Sequence, residues 1–352
     1  MQNKLLPIIL EKVSNTLGTQ VRAVELDIDF FEEVSLNQIY IEGGNGDTLV
    51  HAESLNIDIS LFSLFDKTLF IDDIKLSGAK VHLTDDKGES NYQHIVDHLN
   101  KSESSSDKPE STSPGWKFGL DDIILDDVII KMRGSTSDMV VDIPHLEAYF
   151  TSFPETFDTL LFNNIASDGL KFSLIERLPS QNTGGKTEFP ALPIFLNVLD
   201  LQLRNVSIGY DKKHMPKKAV GFDYNHIDIS EANLTVKNLK WGTEISGKIE
   251  VLNLKDSSGL EIQNLKTEIT TSNNMLDLDD LTITTPESKL EASIKSEYLS
   301  FDELINNFFQ QKIFVNIKEG DISENDVAKF INPKQIKFID LRKLKRIKYN
   351  GQ

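Results

Sequence analysis

The residues best spaced for metal chemistry are His94 and His98, four apart on a stretch of helical pattern, Ser90–Leu99, with Asp97 beside them. That spacing can put two imidazoles on one metal ion. No third ligand accompanies them, and by helical angle both fall opposite Tyr92, Val96 and Leu99, so the pair reads as a solvated face. Gly43-Gly44-Asn45-Gly46-Asp47 has the style of a calcium-binding glycine turn. Its aspartate comes one place early and the motif occurs once, so it reads as a hairpin loop. Adjacent acids at Asp72-Asp73, Asp121-Asp122, Asp126-Asp127 and Asp279-Asp280 could supply a glycosidase carboxylate pair. They recur at regular places within strand patterns, which is what solvated strand faces and strand ends look like. The chain has no G-x-S-x-G, G-x-x-x-x-G-K-[ST], H-E-x-x-H or G-x-G-x-x-G motif. It contains no cysteine, which excludes disulfides, thiolate metal sites and a cysteine nucleophile. No catalytic residue, metal or cofactor is expected.

Charge narrows the partners. The 352 residues carry 37 basic and 55 acidic side chains, a formal charge of −18. Nucleic-acid binding needs a basic face, so nucleic acid is not expected as a partner. No apolar run approaches the roughly 20 residues of a membrane-spanning helix. Leu5-Leu6-Pro7-Ile8-Ile9-Leu10 is too short, and no signal peptide is visible. A membrane anchor, if there is one, is expected outside this chain. The segment Lys334–Lys348 has seven basic residues and one acid, Asp340. It could touch anionic headgroups; a solvated strand or helix face, or a truncated continuation over 334–352, explains it as well.

The elements that would position any site are mostly strands. Val21–Phe30 alternates Val24, Leu26, Ile28 and Phe30 against Glu25, Asp27 and Asp29, the mark of a half-buried strand. The same style recurs at Ser54–Ser60, Ile123–Met132, Leu199–Tyr210, His226–Val236, Lys248–Leu254, Leu260–Thr270, Asp279–Thr285 and Ile313–Ile317, separated by Gly, Asn, Asp and Ser turns. Helices are few and short: Asn3–Leu17, Ser90–Leu99, one at Ser300/Glu303, one at Ser323/Asp326, and a short one around Glu155–Leu161. Residues 1–18 are expected to cap one end of the sheet through Leu6, Ile9, Val13 and Leu17. Mobile loops are expected near 101–115 and 178–193, within one repeated β-region over 19–333.

One spacing repeats: apolar, two residues, apolar, one residue, apolar. It appears at Val21/Val24/Leu26, Leu36/Ile39/Ile41, Ala52/Leu55/Ile57, Ile71/Ile74/Leu76, Leu120/Ile123/Leu125, Ile143/Leu146/Ala148, Val198/Leu201/Leu203, Tyr224/Ile227/Ile229, Ile262/Leu265/Thr267 and Leu278/Leu281/Ile283. A three-residue step puts the next apolar side chain on the wrong face of a regular strand. A bulge restores the face and bends the strand. Ile71–Leu83 is therefore either one bent strand or two short strands joined by a tight turn at Ser77-Gly78. A repeated sheet of this kind can close as a barrel, pack on a second sheet, or present an apolar trough.

Four stretches resemble the AsmA-like proteins, in particular the TamB-like proteins of the Bacteroidetes type. They are Asn45–Ile57; Ile71–Leu76 with Val81-His82-Leu83 and Asn91-Tyr92; Phe222–Ile227; and Ser258–Leu265 with Leu281–Ser288. The likeness is one of style over about residues 1–333, without an invariant motif. It implies a mainly β fold, an elongated, open, bent antiparallel sheet with a taco-like groove and a few short amphipathic helices. It also implies an N-terminal periplasmic fragment of a protein anchored in the inner membrane. The implied task is bridge-like transfer of phospholipid, acyl chains in the groove, toward the outer membrane. The alternative it implies is a scaffold for outer-membrane protein assembly beside a barrel of the Omp85 type. A secreted β-rich enzyme or adhesin is a third, weaker reading. On the groove reading, Ile39, Ile41, Leu55, Ile57, Ile74, Leu76, Ile123, Leu125, Leu201, Leu203, Ile227, Ile229, Leu265, Leu281 and Ile283 line the trough, and the charges between them face water.

Overall fold

The computed structural model describes residues 2–28, 33–60, 68–86, 89–104, 117–152, 158–179, 188–192, 194–219, 221–306, 311–330 and 346–350. In chain order the elements begin α1 (Gln2–Leu17), β1 (Val21–Arg22), β2 (Glu25–Ile28), β3 (Glu33–Glu42), β4 (Thr48–Ser60), β5 (Thr68–Ser77), β6 (Lys80–Asp86), β7 (Glu89–Ser90), α2 (Gln93–Ser104), β8 (Lys117–Gly134) and β9 (Ser137–Ser152). Then follow β10 (Thr159–Asp168), β11 (Lys171–Glu176), β12 (Phe195–Lys212), β13 (His226–Trp241), β14 (Glu244–Asp256), β15 (Glu261–Ile262), β16 (Asn264–Ser272), β17 (Met275–Thr284) and β18 (Lys289–Glu297). The last are α3 (Phe301–Asn306), β19 (Lys312–Ser323), α4 (Glu324–Phe330) and β20 (Arg346–Asn350). The protein is mainly β, with few and short helices, as the alternation requires.

The chain divides into two compact units, 1–153 with 170–177, and 154–169 with 178–352. In the first, β1 and β2 pair with β3, and β3 with β4; β4 pairs with both β5 and β6, these with β8, and β8 with β9 and β9 with β11. In the second, β10 pairs with β12, followed by β13, β14, β16, β17, β18, β19 and β20. Pairing is largely antiparallel but mixed: β5 and β6 run parallel to β8, and β10 runs parallel to β12. A parallel neighbour needs a long return connection. In the first unit that connection contains β7 and α2.

Several three-residue apolar steps are bulges. Non-glycine residues in the left-handed region are Gln38, Asp127, Asn205, Glu231, Asn238 and Asp280, with φ between 47° and 55°. Each sits inside an odd apolar step: Leu36/Ile39, Leu125/Val128, Leu203/Val206, Ile229/Ala232, Val236/Leu239 and Leu278/Leu281. All six polar residues are exposed. Ile39, Val128, Val206, Ala232 and Leu281, which follow five of them, are buried. One residue in this conformation turns the next side chain back to the apolar face, and Asn and Asp tolerate it best. Gly78 (φ 61°) does the same for Ala79, which is fully covered. A Cβ on Gly78 would sit 2.4 Å from Glu53 Cγ. Because β5 and β6 run in the same direction against both β4 and β8, Ser77-Gly78 is a bend in one strand path and not a hairpin turn.

Several local expectations are corrected. Val21–Phe30 breaks into β1 and β2, and Val24 between them is 76% exposed, its N–H donated to Asn37 O. The short helix at Glu155–Leu161 does not form, since β10 starts at Thr159; residues 153–157 lie outside the described residues. Helix α2 continues to Ser104, into the stretch expected to be mobile; 105–116 lie outside the described residues. Of 178–193, Pro190 accepts a 2.6 Å bond from Trp241 Nε1, Leu192 N–H reaches Gly242 O, and the Phe189 ring meets Phe301 edge-on at 5.4 Å. An apolar partner holds that part of the segment against β13 and α3. Helix α1 packs on β1, β2 and α2 through a face that includes Leu6, Ile9, Leu10 and Leu17, while Val13 lies at its exposed margin. It covers a strand edge that would otherwise be open to pairing.

Candidate functional site

The candidate site is an apolar sheet face in each unit. In the first, strand register aligns six leucines across six strands: Leu26, Leu36, Leu55, Leu76, Leu125 and Leu146. A second row runs Ile28, Val34, Ile57, Ile74, Ile123 and Ala148. A third runs Val21, Ile41, Val50, Val81, Ile130, Val141 and Phe172. Directly paired residues project to the same side of a sheet. Ile39, Ala52, Ala79, Val128 and Ile143 form the buried floor, with Ile41, Leu55, Leu76 and Leu125 packed against them. The structure thus brings together all eight residues expected for this unit.

In the second unit Leu201 lies in a row with Ile165, Val236 and Ile249, and Leu203 pairs Leu234, which pairs Leu252. Ile229 and Ile227 face Ile208 and Tyr210. Leu265 aligns with Ile283 and Leu290, and Leu281 with Ala292 and Ile317. Register therefore pairs each expected residue with an apolar neighbour. Thr267, buried at Ile249's partner position, satisfies its hydroxyl by donating to the Asp279 carbonyl at 2.8 Å. Sequence spacing had counted Tyr224 in this series; it lies instead on the β12–β13 loop, 57% exposed.

These faces are covered only in part. Among the described residues the largest side chains below 2% exposure are Val198, Asp256 and Ser296. No leucine, isoleucine or phenylalanine is among them, whereas a closed sandwich core of this many large apolar residues would bury several completely. Most of the row residues are half-buried beside their row neighbours. The arrangement can hold an extended apolar ligand.

The opposite face is polar. Lys75 bridges to Asp126 at 2.7 Å, His145 bonds Asp126 at 2.6 Å and Glu147 at 3.1 Å, and Tyr149 donates to Glu147 at 2.8 Å. The hydrogen bond from Lys75, and then that from His145, holds the Asp126 carboxyl below its ordinary range, and Asp126 in turn raises His145. Next to this network a row of acids, Glu33, Asp58, Asp73 and Asp122, stands in direct register. Burial first, then the neighbouring carboxylates, raises Asp73 and Asp122. In the second unit the polar face is neutralised pairwise, by Lys237–Asp200 at 2.8 Å and Lys295–Asp277 at 2.7 Å among others.

The motif stretches prove to be fasteners. Buried Asn91 accepts Thr84 N–H, donates to His82 O at 2.9 Å and to Asp47 at 3.3 Å, and its carbonyl accepts Gly44 N–H. It ties the Gly43–Asp47 loop to β6, two stretches far apart in sequence. Buried Asp326 accepts Thr285 Oγ1 at 2.5 Å and Ser288 Oγ at 2.6 Å, and so ties the β17–β18 turn to α4. Asp256 caps the β14–β15 turn by accepting Asp228 and Ser258 N–H. Their small polar side chains within turn sequences were the available signal. His94 and His98 do not form a solvated face: both are half-buried, His98 Nε2 lies 2.9 Å from Asn15 O and its ring packs on Gly18, while Val96, expected on the covered side, is exposed. Among the described residues no group of histidine and acid side chains is arranged to hold a metal.

A mainly β chain with bulge-bent strands and an open apolar face is the class that this geometry defines. A family model described as the AsmA family matches residues 25–255, about two thirds of the chain, and the protein belongs to that family. No curated protein matches the chain. The AsmA family is associated with outer-membrane and lipid-related assembly, and membership points to association with the cell envelope. Among the described residues no helix is long and apolar enough to cross a membrane.

Proposed function

We propose that this chain is a lipid-carrying part of a bridge-like transfer protein, holding phospholipid acyl chains on its apolar sheet faces while headgroups stay in water. The observation that carries the reading is the in-register row Leu26–Leu36–Leu55–Leu76–Leu125–Leu146, apolar across six strands yet incompletely covered. Each methylene withdrawn from water contributes about 0.8 kcal/mol. A chain lying along such rows is held by many equivalent small contacts, so it can advance one row at a time without leaving the surface. In the full-length protein we place the work in the periplasm, between an inner-membrane anchor outside this chain and the outer membrane, with phospholipid as cargo and an outer-membrane barrel as a candidate partner.

The test is photo-crosslinking in a cell envelope. Probes at Leu76 and Leu203 should capture phospholipid, and a probe at Lys75, on the polar face, should not. Equal capture on both faces, or none at Leu76 and Leu203 in folded protein, overturns the reading. Capture of nascent outer-membrane protein in place of lipid at those positions would favour the assembly scaffold.

A further inference from the structure

The connection between β12 and β13 gathers positive charge around exposed apolar side chains in an otherwise acidic chain. Lys212, Lys213, His214, Met215, Pro216, Lys217 and Lys218 follow one another, in a protein of net charge −18. Met215 is 42% exposed at the turn, and Tyr224 on the returning limb is 57% exposed. Exposed Met and Tyr beside several lysines is the composition that suits the boundary between headgroups and acyl chains.

The loop is built to stay in place. Met215 N–H closes a turn on Lys212 O at 2.9 Å, and the Met215 carbonyl is 3.0 Å from His226 Nε2. His226 Nδ1 lies 2.7 Å from Asp211 Oδ1, and its side chain is 8% exposed. Asp223, 6% exposed, accepts Lys218 N–H at 2.7 Å and Asn225 N–H at 3.1 Å. Phe222 N–H caps the end of α4 by donating to Lys329 O at 2.7 Å, and the Phe222 ring meets Tyr224 edge-on at 4.8 Å. Lys218 lies over the Tyr224 ring at 5.2 Å. Both acids of the segment, Asp211 and Asp223, are engaged inside it. The tip that remains toward solvent is basic and apolar.

We propose that the β12–β13 loop docks the protein on the surface of an anionic phospholipid bilayer, the lysines over headgroup phosphates and Met215 and Tyr224 among the upper acyl carbons. The occupant follows from charge complementarity: an acidic protein is repelled by an anionic membrane except where its positive charge is concentrated. The proposal does not require the sheet faces to carry lipid.

The test uses the whole chain and vesicles. With phosphatidylglycerol–phosphatidylethanolamine vesicles at about 0.1 M salt, where screening acts beyond about 10 Å, the protein should co-float; with phosphatidylcholine vesicles, or at about 1 M salt, it should not. Lys217→Gln with Lys218→Gln should weaken partitioning about 25-fold, roughly fivefold per lysine, without changing the far-ultraviolet circular dichroism. Because the chain has no cysteine, Met215→Cys takes a single environment-sensitive dye. Its emission should shift blue on the anionic vesicles, while the same dye at Asp121→Cys should not respond. Equal binding to both vesicle types, an unweakened lysine variant, or an unresponsive dye at position 215 overturns the proposal. So does retention of the loop by a soluble polyanion with no binding to vesicles, which would assign the surface to an acidic macromolecule.

Discussion

Leu76→Asp gives the sharpest test of the apolar face. Leu76 sits between Leu55 and Leu125 in direct register, on β5, one residue from the polar face carried by Lys75. An acyl chain crossing that row loses contact with about two methylenes when the leucine is replaced by a hydrated carboxylate. At about 0.8 kcal/mol per methylene the loss is about 1.6 kcal/mol, and about 1.4 kcal/mol is a factor of ten. Desolvating the carboxylate adds to this. Phospholipid photo-crosslinked by a probe placed next to position 76, per mole of folded protein, should fall at least tenfold. Lys131→Asp, which places the same carboxylate on the opposite face of β8, should leave the yield within twofold. Folding is checked by the unfolding midpoint, since Leu76 also touches the buried floor. A folded Leu76→Asp variant with undiminished lipid, or a Lys131→Asp variant that loses as much, would refute the reasoning.

Four further outcomes are expected. The raised His145 contributes stability that is complete below pH 6.5 and is lost as pH rises through its folded value, whereas the lowered Asp126 contributes stability present above pH 3.8 and lost as pH falls through its folded value; His145→Gln should therefore flatten the alkaline limb of the unfolding midpoint between pH 6 and pH 9. Asp122→Asn should raise that midpoint at pH 7, because a carboxyl whose folded pKa is raised destabilises once ionised, and the gain should vanish near pH 4. Asp127→Val should cost about 1–2 kcal/mol in denaturant unfolding, since a β-branched residue is strained at φ 53°, while Asp127→Gly should be neutral or slightly stabilising. Asn91→Ala should cost about 1–3 kcal/mol by orphaning Thr84 N–H and the His82 carbonyl, and should speed hydrogen exchange in the Gly43–Asp47 loop.

The sequence by itself determined the strand-rich class, the apolar repeat and the absence of familiar catalytic motifs, because alternation and three-residue steps are local properties of the chain. It even contained the bulges: Gln38, Asp127, Asn205, Glu231 and Asp280 each precede a buried apolar residue. What it could not show is which strands lie side by side. The leucine row exists only because β5 runs parallel to β8 after a long return connection, and no local pattern encodes that pairing. Val24 satisfies the repeat yet faces water, because the strand breaks there. His94 and His98 looked solvated by helical angle, but α1 and the Gly43–Asp47 loop pack against their side of α2 and reverse the assignment. Asn91 with Asp47, and Asp326 with Thr285 and Ser288, are fasteners between distant turns. Tertiary structure decided these because burial and hydrogen-bond partners are properties of neighbours in space, and the chain lists only neighbours in sequence.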